Sequence, residues 1–241
     1  MPFSKVNDVR LYYEDYRGKN QIPLIFIHGS SWKGKACSTW KPIVDHFRGE
    51  RRTIAFDLRG HGQSDKPKGQ YAIEQFSEDL FSLMKNLEVK KAIMIGYSMG
   101  GMIALRFVLD HQEMVDRLIL ISTKHRRLSL FGRLFLPLWL SFAMRKYYLP
   151  ANSPPKHVLK SEVYACAKFD VTSELPKIMM PTLIIHGSEE TGLTDLHVSQ
   201  AKYMKEHIPN AELTILEGSK HSHVYDTPEK TREAIEKFLD K

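Results

Sequence analysis

Short runs of aliphatic residues recur along the chain and predict the strands of a β-sheet. Six such runs, rich in Ile, Val and Leu, occupy residues 24–27, 53–56, 92–95, 118–121, 182–185 and 213–216. Their near-continuous apolar character is typical of strands that are buried on both faces of a parallel sheet. The pattern therefore predicts a mostly parallel central sheet.

Segments with helical spacing separate these runs. Two of them place their apolar residues on one helical face, the first at Ile73, Phe76, Leu80, Leu83 and Leu87, the second at Met102, Leu105 and Val108 or Leu109. Alternating strands and helices predict an α/β fold in which helices flank the sheet on both sides.

The alternation breaks between residues 123 and 180. This stretch holds an apolar segment at residues 128–149 and a second predicted helix at residues 158–168. Strand periodicity resumes directly afterwards, so the stretch is inserted between two strands and does not form a separate domain. We expect a core made of residues 1–122 and 181–241, with residues 123–180 forming a small helical cap.

The apolar segment at residues 128–149 is long enough to suggest a membrane span. Arg133, Arg145 and Lys146 lie within or beside it, and Pro137 is expected to break it, which argues against a spanning helix. We predict one helix or a helix pair with an apolar face and no transmembrane segment. Periodicity does not decide whether that face packs on the core, lines a pocket or makes a weak contact with a lipid surface.

Composition is that of a single globular domain of 241 residues. The net charge of +7 comes from scattered basic residues without a zinc-finger or RNA-binding signature, so no nucleic-acid partner is predicted.

Cys37 and Cys166 lack metal-ligand or redox spacing, which favours a reducing compartment and predicts neither a metal nor another cofactor. Residues 1–13 lack a secretory signal pattern, so we expect a cytoplasmic protein. The oligomeric state is not encoded in any pattern that we can read.

The first chemical signal is the sequence Gly-Tyr-Ser-Met-Gly at residues 96–100. It satisfies G-x-S-x-G, follows a predicted strand directly and precedes a predicted helix. In that context the motif forms a sharp turn that exposes the serine oxygen above the sheet. Ser98 is therefore the predicted nucleophile, and a chance match in a glycine-bearing loop is the alternative.

A serine hydroxyl needs a base to remove its proton, and histidine is suited to that role. Among 11 histidines, His221 directly follows the last predicted strand, in a loop that can reach Ser98. His223 is the alternative, two residues later. His28 and His186 also stand at strand ends, and we interpret them as structural groups.

The imidazole in turn needs a carboxylate that fixes its tautomer. Three candidates follow the strand at residues 182–185, namely Glu190, Asp195 and Glu189. We prefer Glu190, three residues past Gly187, and keep Asp195 and then Glu189 as alternatives.

An oxyanion intermediate needs hydrogen-bond donors that are already in place. The backbone N–H of Met99, just after the nucleophile, is the first predicted donor. The backbone N–H of Ser30, in the loop after the strand at residues 24–27, is the second. Trp32 lies in the same loop, where ordinary loop packing is the alternative to substrate contact.

Four landmarks in this order resemble the α/β-hydrolase superfamily from about residue 9 to residue 239. They are His28-Gly29, the run Asp57-Leu58-Arg59-Gly60-His61-Gly62-Gln63-Ser64, residues 96–100, and residues 218–221 with Asp226 and Pro228 downstream. The resemblance implies the α/β-hydrolase fold, with the cap inserted after the sixth strand. The second landmark is a structural loop in this family, so Asp57, Arg59 and His61 receive no chemical role. The family's acid is most often Asp, which is why Asp195 stays open beside Glu190.

The resemblance implies a serine hydrolase that cleaves carboxylic esters through an acyl-enzyme intermediate. Apolar cap residues favour a small-molecule ester with an apolar acyl or alcohol group, and Trp32 and Trp139 are the predicted substrate-binding side chains. Lactone opening or carbon–carbon bond cleavage by the same residues is one alternative. A non-catalytic small-molecule receptor with this fold is the other.

Overall fold

The computed structural model describes residues 2–32, 34–146, 151–190 and 197–241. Its strands are β1 (Phe3–Val6), β2 (Val9–Tyr16), β3 (Gly18–Ile27), β4 (Gly49–Phe56), β5 (Ala92–Tyr97), β6 (Val115–Ile121), β7 (Thr182–Gly187) and β8 (Ala211–Leu216). They form one sheet in the order β1-β2-β4-β3-β5-β6-β7-β8. β2 pairs antiparallel with both β1 and β4, whereas β3 to β8 pair in parallel. The predicted mostly parallel sheet is therefore confirmed.

The helices are α1 (Lys41–Phe47), α2 (Ile73–Asn86), α3 (Met99–Asp110), α4 (Leu130–Lys146), α5 (Lys156–Lys168), α6 (Val198–His207), α7 (His223–Asp226) and α8 (Pro228–Leu239). α2, α3 and α6 pack on one face of the sheet, and α1 and α8 pack on the other. This arrangement confirms the predicted α/β class with helices on both sides.

Two hydrophobic cores cover the sheet, one on each face, and successive residues of a strand pack alternately into one and the other. In β5, Met94 faces the core beneath α2 and α3, whereas Ile93 and Ile95 face the core beneath α1 and α8. Both faces are apolar because both are covered, which explains the near-continuous apolar runs of the sequence.

The first two strands, β1 and β2, were not predicted. They lie at one edge of the sheet, and most of β2 is only half-buried. Because such strands carry polar residues among the apolar ones, they give no continuous apolar run.

Between β6 and β7 the chain forms α4, α5 and a short 3₁₀ helix at Thr172–Lys177. The expectation that Pro137 breaks the apolar run is wrong, because α4 continues through it. A proline removes one backbone hydrogen bond, and the burial of Leu136 and Leu140 on either side offsets that loss. Among the residues that the structure describes, no helix is long and apolar enough to cross a bilayer.

Candidate active site

Ser98 stands at the sharp turn between β5 and α3. Its backbone has φ 55° and ψ −118°, a conformation that side-chain-bearing residues rarely adopt. Its N–H donates to the carbonyl of Ile121 on β6 at 2.9 Å, and the hydroxyl of Thr123 donates to its carbonyl at 2.7 Å. Bonds to the neighbouring strand and the segment after it therefore hold a strained residue in place.

Two glycines make this turn possible. A Cβ on Gly96 would lie 2.4 Å from the carbonyl oxygen of Gly100, and a Cβ on Gly100 would lie 2.1 Å from that of Ile27. Both contacts are with backbone atoms that cannot move aside. The spacing of the motif is thus required by the close approach of α3 to β3 and β5.

His221 lies in the loop after β8 and reaches Ser98. Its Nε2 is 3.2 Å from the Ser98 hydroxyl oxygen. The hydroxyl of Tyr97 donates to the carbonyl of His221 at 2.9 Å, and the two rings lie side by side with centroids 5.1 Å apart. The residue before the serine thus anchors the loop that carries the histidine.

Glu190 follows β7 and is buried beneath His221. Its Oε2 accepts from Nδ1 of His221 at 3.0 Å, and its Oε1 accepts from the N–H of Gly187 at 2.9 Å. The hydroxyl of Ser122 also donates to Oε1. The structure therefore brings Ser98, His221 and Glu190 into one hydrogen-bonded series.

The hydrogen bonds continue behind Glu190 and fix the proton positions. The single hydroxyl proton of Ser122 goes to Glu190, so its oxygen accepts from Nε2–H of His223 at 2.8 Å. Burial lowers the pKa of His223 to about 4, so the ring is neutral and carries its proton on Nε2. Nδ1 of His223 therefore accepts from the hydroxyl of Thr231 at 2.7 Å. His223 therefore supports the carboxylate from behind and does not face Ser98.

The carboxylate of Glu190 stays ionised despite its burial. Burial alone would raise its pKa, but the hydrogen bond with His221, the nearby His186 and the hydroxyl of Ser122 outweigh it, so the pKa is lowered. An ionised acceptor is what keeps the proton of His221 on Nδ1 and leaves Nε2 free to accept the serine proton.

The other carboxylate candidates have different positions. Glu189 is exposed, and its backbone N–H donates to the carbonyl of Ser219 at 3.0 Å. Asp195 lies outside the residues that the structure describes.

The remaining strand-end histidines have partners of their own. Nδ1–H of His28 donates to the carbonyl of Gly29 at 2.7 Å, and its Nε2 accepts from the N–H of Leu58 at 3.0 Å. Nδ1–H of His186 donates to the carbonyl of Gly187 at 2.8 Å. Both rings are buried, as expected of groups that hold the loops in place.

The second sequence landmark forms a buried loop. The carboxylate of Asp57 accepts from the N–H groups of Cys37 and Gln63, both at 2.8 Å. Arg59 forms a buried ion pair with Asp79. His61 instead turns toward the cap, where its Nε2 lies 2.9 Å from Oε1 of Glu162 on α5.

A cavity of about 360 Å³ opens above Ser98, between the core and the cap. Ser30, Trp32, Met99 and Trp139, all named from the sequence, line it together with Ser98 and His221. Most of the other lining residues are apolar and come from the cap: Leu128, Phe131, Phe135, Leu136, Val163 and Ala167. The volume suits a small organic molecule.

Three polar residues of this region were not predicted from the sequence: Ser122, Lys124 and Glu162. Lys124 and Glu162 line the cavity although each is at most 1% exposed. Ser122 and Lys124 follow β6, whose end lies between those of β5 and β7, so sheet order was the signal that could have found them. Glu162 gave no such signal, because it lies within a cap helix.

This geometry can perform nucleophilic chemistry. A base contacts a hydroxyl at a strained turn, an ionised carboxylate orients the base, and α3 begins at the next residue, Met99. The positive end of that helix favours negative charge beside the hydroxyl.

The chain is similar over nearly its whole length to known hydrolases. It is 27% identical over 257 residues to 3-oxoadipate enol-lactonase 2 of Acinetobacter baylyi, covering 96% of this chain and 94% of that enzyme. The solved structure of Est816, described as an N-acyl homoserine lactone degrading enzyme, superposes with a TM-score of 0.83 at 25% identity, covering 98% of this chain and 100% of that one. A thermophilic esterase from Thermogutta terrifontis shares the fold with a TM-score of 0.81 at 22% identity, covering 96% of this chain and 93% of that one.

The profile of the α/β-hydrolase fold family matches residues 22–154, which is more than half of the chain. The sheet order, the turn at Ser98 and the helices between β6 and β7 agree with that match. This chain belongs to the α/β-hydrolase family.

Proposed function

We propose that this hydrolase cleaves carboxylic esters through an acyl-enzyme intermediate formed on Ser98. The observation that supports the proposal is the hydrogen-bonded series Ser98, His221 and Glu190 beneath a largely apolar cavity. In this proposal Ser98 is the nucleophile, His221 the general base and Glu190 the carboxylate that orients it.

The reaction proceeds in two half-reactions. The hydroxyl of Ser98 attacks the ester carbonyl while its proton moves to Nε2 of His221, and collapse of the tetrahedral intermediate breaks the C–O bond. His221 returns the proton to the departing alcohol. Water then repeats the sequence on the acyl-serine, which releases the acid and restores the hydroxyl.

The oxyanion of each tetrahedral intermediate needs two donors. We assign this role to the backbone N–H groups of Ser30 and Met99. Both residues line the cavity beside Ser98, and Met99 is the first residue of α3. Such preorganised donors contribute a large share of the rate enhancement in acyl transfer.

Two cavities adjoin Ser98, and we assign one part of the ester to each of them. The 360 Å³ cavity, with Trp139 and the apolar cap residues, is assigned to the acyl group. A smaller cavity of about 160 Å³ shares Ser98, His221 and Trp32, and Tyr97 and Tyr225 also line it. We assign it to the departing alcohol.

Lactone opening is the second candidate function. It uses the same residues and the same bond type, since a lactone is a cyclic ester. The specific support is the similarity to a 3-oxoadipate enol-lactonase and to a lactone-degrading enzyme over nearly the whole chain.

The test combines a covalent probe with a substrate panel. A fluorophosphonate should label Ser98, and p-nitrophenyl acetate, butyrate and octanoate should be compared with unsubstituted lactones by kcat/KM. Ser98→Ala should abolish labelling and lower kcat by about four orders of magnitude or more while the chain stays folded. Ser82→Ala, at a half-buried serine of α2, should change neither.

Each other outcome has a distinct meaning. Lactones hydrolysed faster than every ester would establish the second candidate. Near-normal esterase rates in Ser98→Ala would show that another nucleophile acts. A chain that neither labels nor turns over any of these compounds would refute the proposal and favour a non-catalytic receptor with this fold.

A further inference from the structure

The outward side of α4 is apolar, unlike that of an ordinary surface helix. Six large apolar side chains on it are exposed: Leu130, Phe131, Leu134, Phe135, Leu138 and Phe142. Leu134 is 69% exposed and Leu138 is 71% exposed. In the rest of the described chain, only Phe3 and Met179 join this class, so exposed apolar surface is concentrated on one helix.

Helical geometry puts these six side chains on one face, which we call the α4 face. At about 100° per residue they fall within roughly 140° of the helix circumference. The buried residues Leu136, Leu140 and Ala143 point in the opposite direction and pack toward the protein. α4 therefore has two apolar faces: one packs toward the protein, and the other is largely exposed among the residues that the structure describes.

The charge of the protein is concentrated in the same region. Residues 123–180 contain ten Lys and Arg against three Asp and Glu, a net charge of +7. The remaining residues contain 25 of each sign and are neutral overall, so the cap region carries the entire net charge of the chain.

Some of these basic residues adjoin the α4 face. Arg126, Arg127 and Arg133 line one surface depression together with Leu130. Arg127 also lies 3.5 Å from Asp170, but the side chain remains 60% exposed. Lys156, Lys160 and Lys168 of α5 are also exposed, but Lys160 and Lys168 line a different depression, together with residues of the core.

We propose that the α4 face docks onto an anionic phospholipid surface. Its leucine and phenylalanine side chains would enter the boundary between headgroups and acyl chains, with the adjoining arginines at the level of the phosphates. Apolar residues with a basic border are the chemistry that such a surface recognises.

A second copy of the chain is a poorer occupant of the same face. A two-fold contact would place two α4 faces against each other and would bring together two caps of charge +7. Like charges around an interface oppose association. Charge complementarity therefore favours the lipid.

Docking would also bring lipid to the cavity. Phe131 and Phe135 belong both to the α4 face and to the wall of the 360 Å³ cavity. An apolar ester could then pass from the membrane to Ser98 without crossing water. This consequence rests on the proposed function, whereas the docking itself does not.

The primary experiment measures binding and needs no activity. The full chain is sedimented with vesicles of phosphatidylcholine, or with vesicles in which phosphatidylglycerol replaces about a third of that lipid. We expect binding to the anionic vesicles that weakens as salt is added. The Leu134→Ser/Leu138→Ser variant should partition at least about tenfold less, since neither leucine lines the cavity and both would lose their lipid contact.

Two matched controls separate the α4 face from general surface properties. Phe3→Ser/Met179→Ser removes two exposed apolar side chains elsewhere and should bind as the unmodified chain does. Arg126→Gln/Arg127→Gln should weaken binding to anionic vesicles severalfold, whereas Lys90→Gln/Lys91→Gln on the core should not.

Three results would overturn the proposal. The first is no binding to anionic vesicles at low salt. The second is an equal loss of vesicle binding in Leu134→Ser/Leu138→Ser and in Phe3→Ser/Met179→Ser. The third is a dimer in analytical ultracentrifugation that the leucine substitutions dissociate. Hydrolysis of soluble p-nitrophenyl butyrate by the leucine variant serves as a check of its fold. If the chain lacks hydrolase activity, circular dichroism replaces that check and the binding result stands.

Discussion

The hydroxyl of Ser30 donates a 2.7 Å hydrogen bond to Oε2 of Glu162, which lies 132 residues later in the sequence. The other carboxylate oxygen lies 2.9 Å from Nε2 of His61. Glu162 is fully buried on α5, so the cap contacts the core through a charged group at the loop to which we assign an oxyanion donor. Burial alone would lower the pKa of His61, but the negative charge of Glu162 outweighs it and the pKa is raised. The two groups thus favour an ion pair.

Replacing Glu162 by Gln should affect both catalysis and stability. The Ser30 loop loses a charged acceptor and His61 loses its counter-charge, so we expect about a tenfold lower kcat with a smaller change in KM. The free energy of unfolding should fall by about 1–3 kcal/mol. Ester kinetics and urea unfolding measure these effects, and an NMR titration should show that the pKa of His61 falls.

Glu78→Gln on α2 is the matched control, because it makes the same change at an exposed helical glutamate. It should leave kcat and stability within experimental error. A normal kcat in Glu162→Gln together with lost stability would mean that Glu162 only holds the cap and does not position Ser30.

The identity of the acid is open to a direct test. Glu190→Gln keeps the size of the side chain but removes the charge that orients His221, so kcat should fall by about three to four orders of magnitude. Glu189→Gln changes an exposed neighbour and should alter kcat by less than about twofold. Asp195→Asn should behave like Glu189→Gln if Glu190 is the acid. Equal, small losses in all three variants would refute the assignment.

Ser122 should act through Glu190. Ser122→Ala removes a hydrogen bond to Oε1, so the pKa of Glu190 should rise. The low-pH limb of the kcat profile, where the hydrogen-bonded pair of Glu190 and His221 takes up a proton, should move to higher pH. We expect kcat to fall by about three- to thirtyfold, less than in Glu190→Gln, because the N–H of Gly187 and His221 still bind the carboxylate. The pH profile is the decisive measurement. An unchanged profile would mean that Ser122 has only a packing role.

The features that can be read from the sequence alone are those that depend on local chemistry. Ser98 is marked by the glycines that the turn needs at residues 96 and 100, and His221 and Glu190 each lie in the loop that follows an apolar strand. The six buried strands were equally clear, since both of their faces are covered.

The site residues that could not be read from the sequence depend on contacts between segments that are distant along the chain. Ser122 meets Glu190 across 68 residues of sequence, and only the order of β6 and β7 in the sheet brings them together. Glu162 meets Ser30 only when the cap folds over the core. Neither pairing leaves a local pattern. The continuation of α4 through Pro137 likewise follows from tertiary packing, which overrides local propensity.

Two buried histidines should make the fold sensitive to acid. Burial and the nearby His61 lower the pKa of His28 to about 3, and burial lowers that of His223 to about 4. In both, one ring nitrogen accepts a hydrogen bond, from Leu58 and from Thr231, and protonation would break it. The unfolded chain binds these protons near pH 6.5, so between pH 6.5 and about 4 it holds more protons than the folded chain does. Stability therefore rises with pH in that window and falls as pH drops.

The expected slope is about 1.4 kcal/mol of unfolding free energy per pH unit for each histidine. His223→Gln should remove one of the two contributions, so its slope across the window should be shallower by about that amount even if its stability at neutral pH is lower. Urea unfolding at several pH values between about 4.5 and 6 measures both slopes. His61 does not contribute there, because its raised pKa keeps it protonated in both states. Parallel curves for the variant and the unmodified chain would show that His223 is not held neutral in the folded protein, and its Nδ1–H would then donate to Thr231 instead of accepting from it.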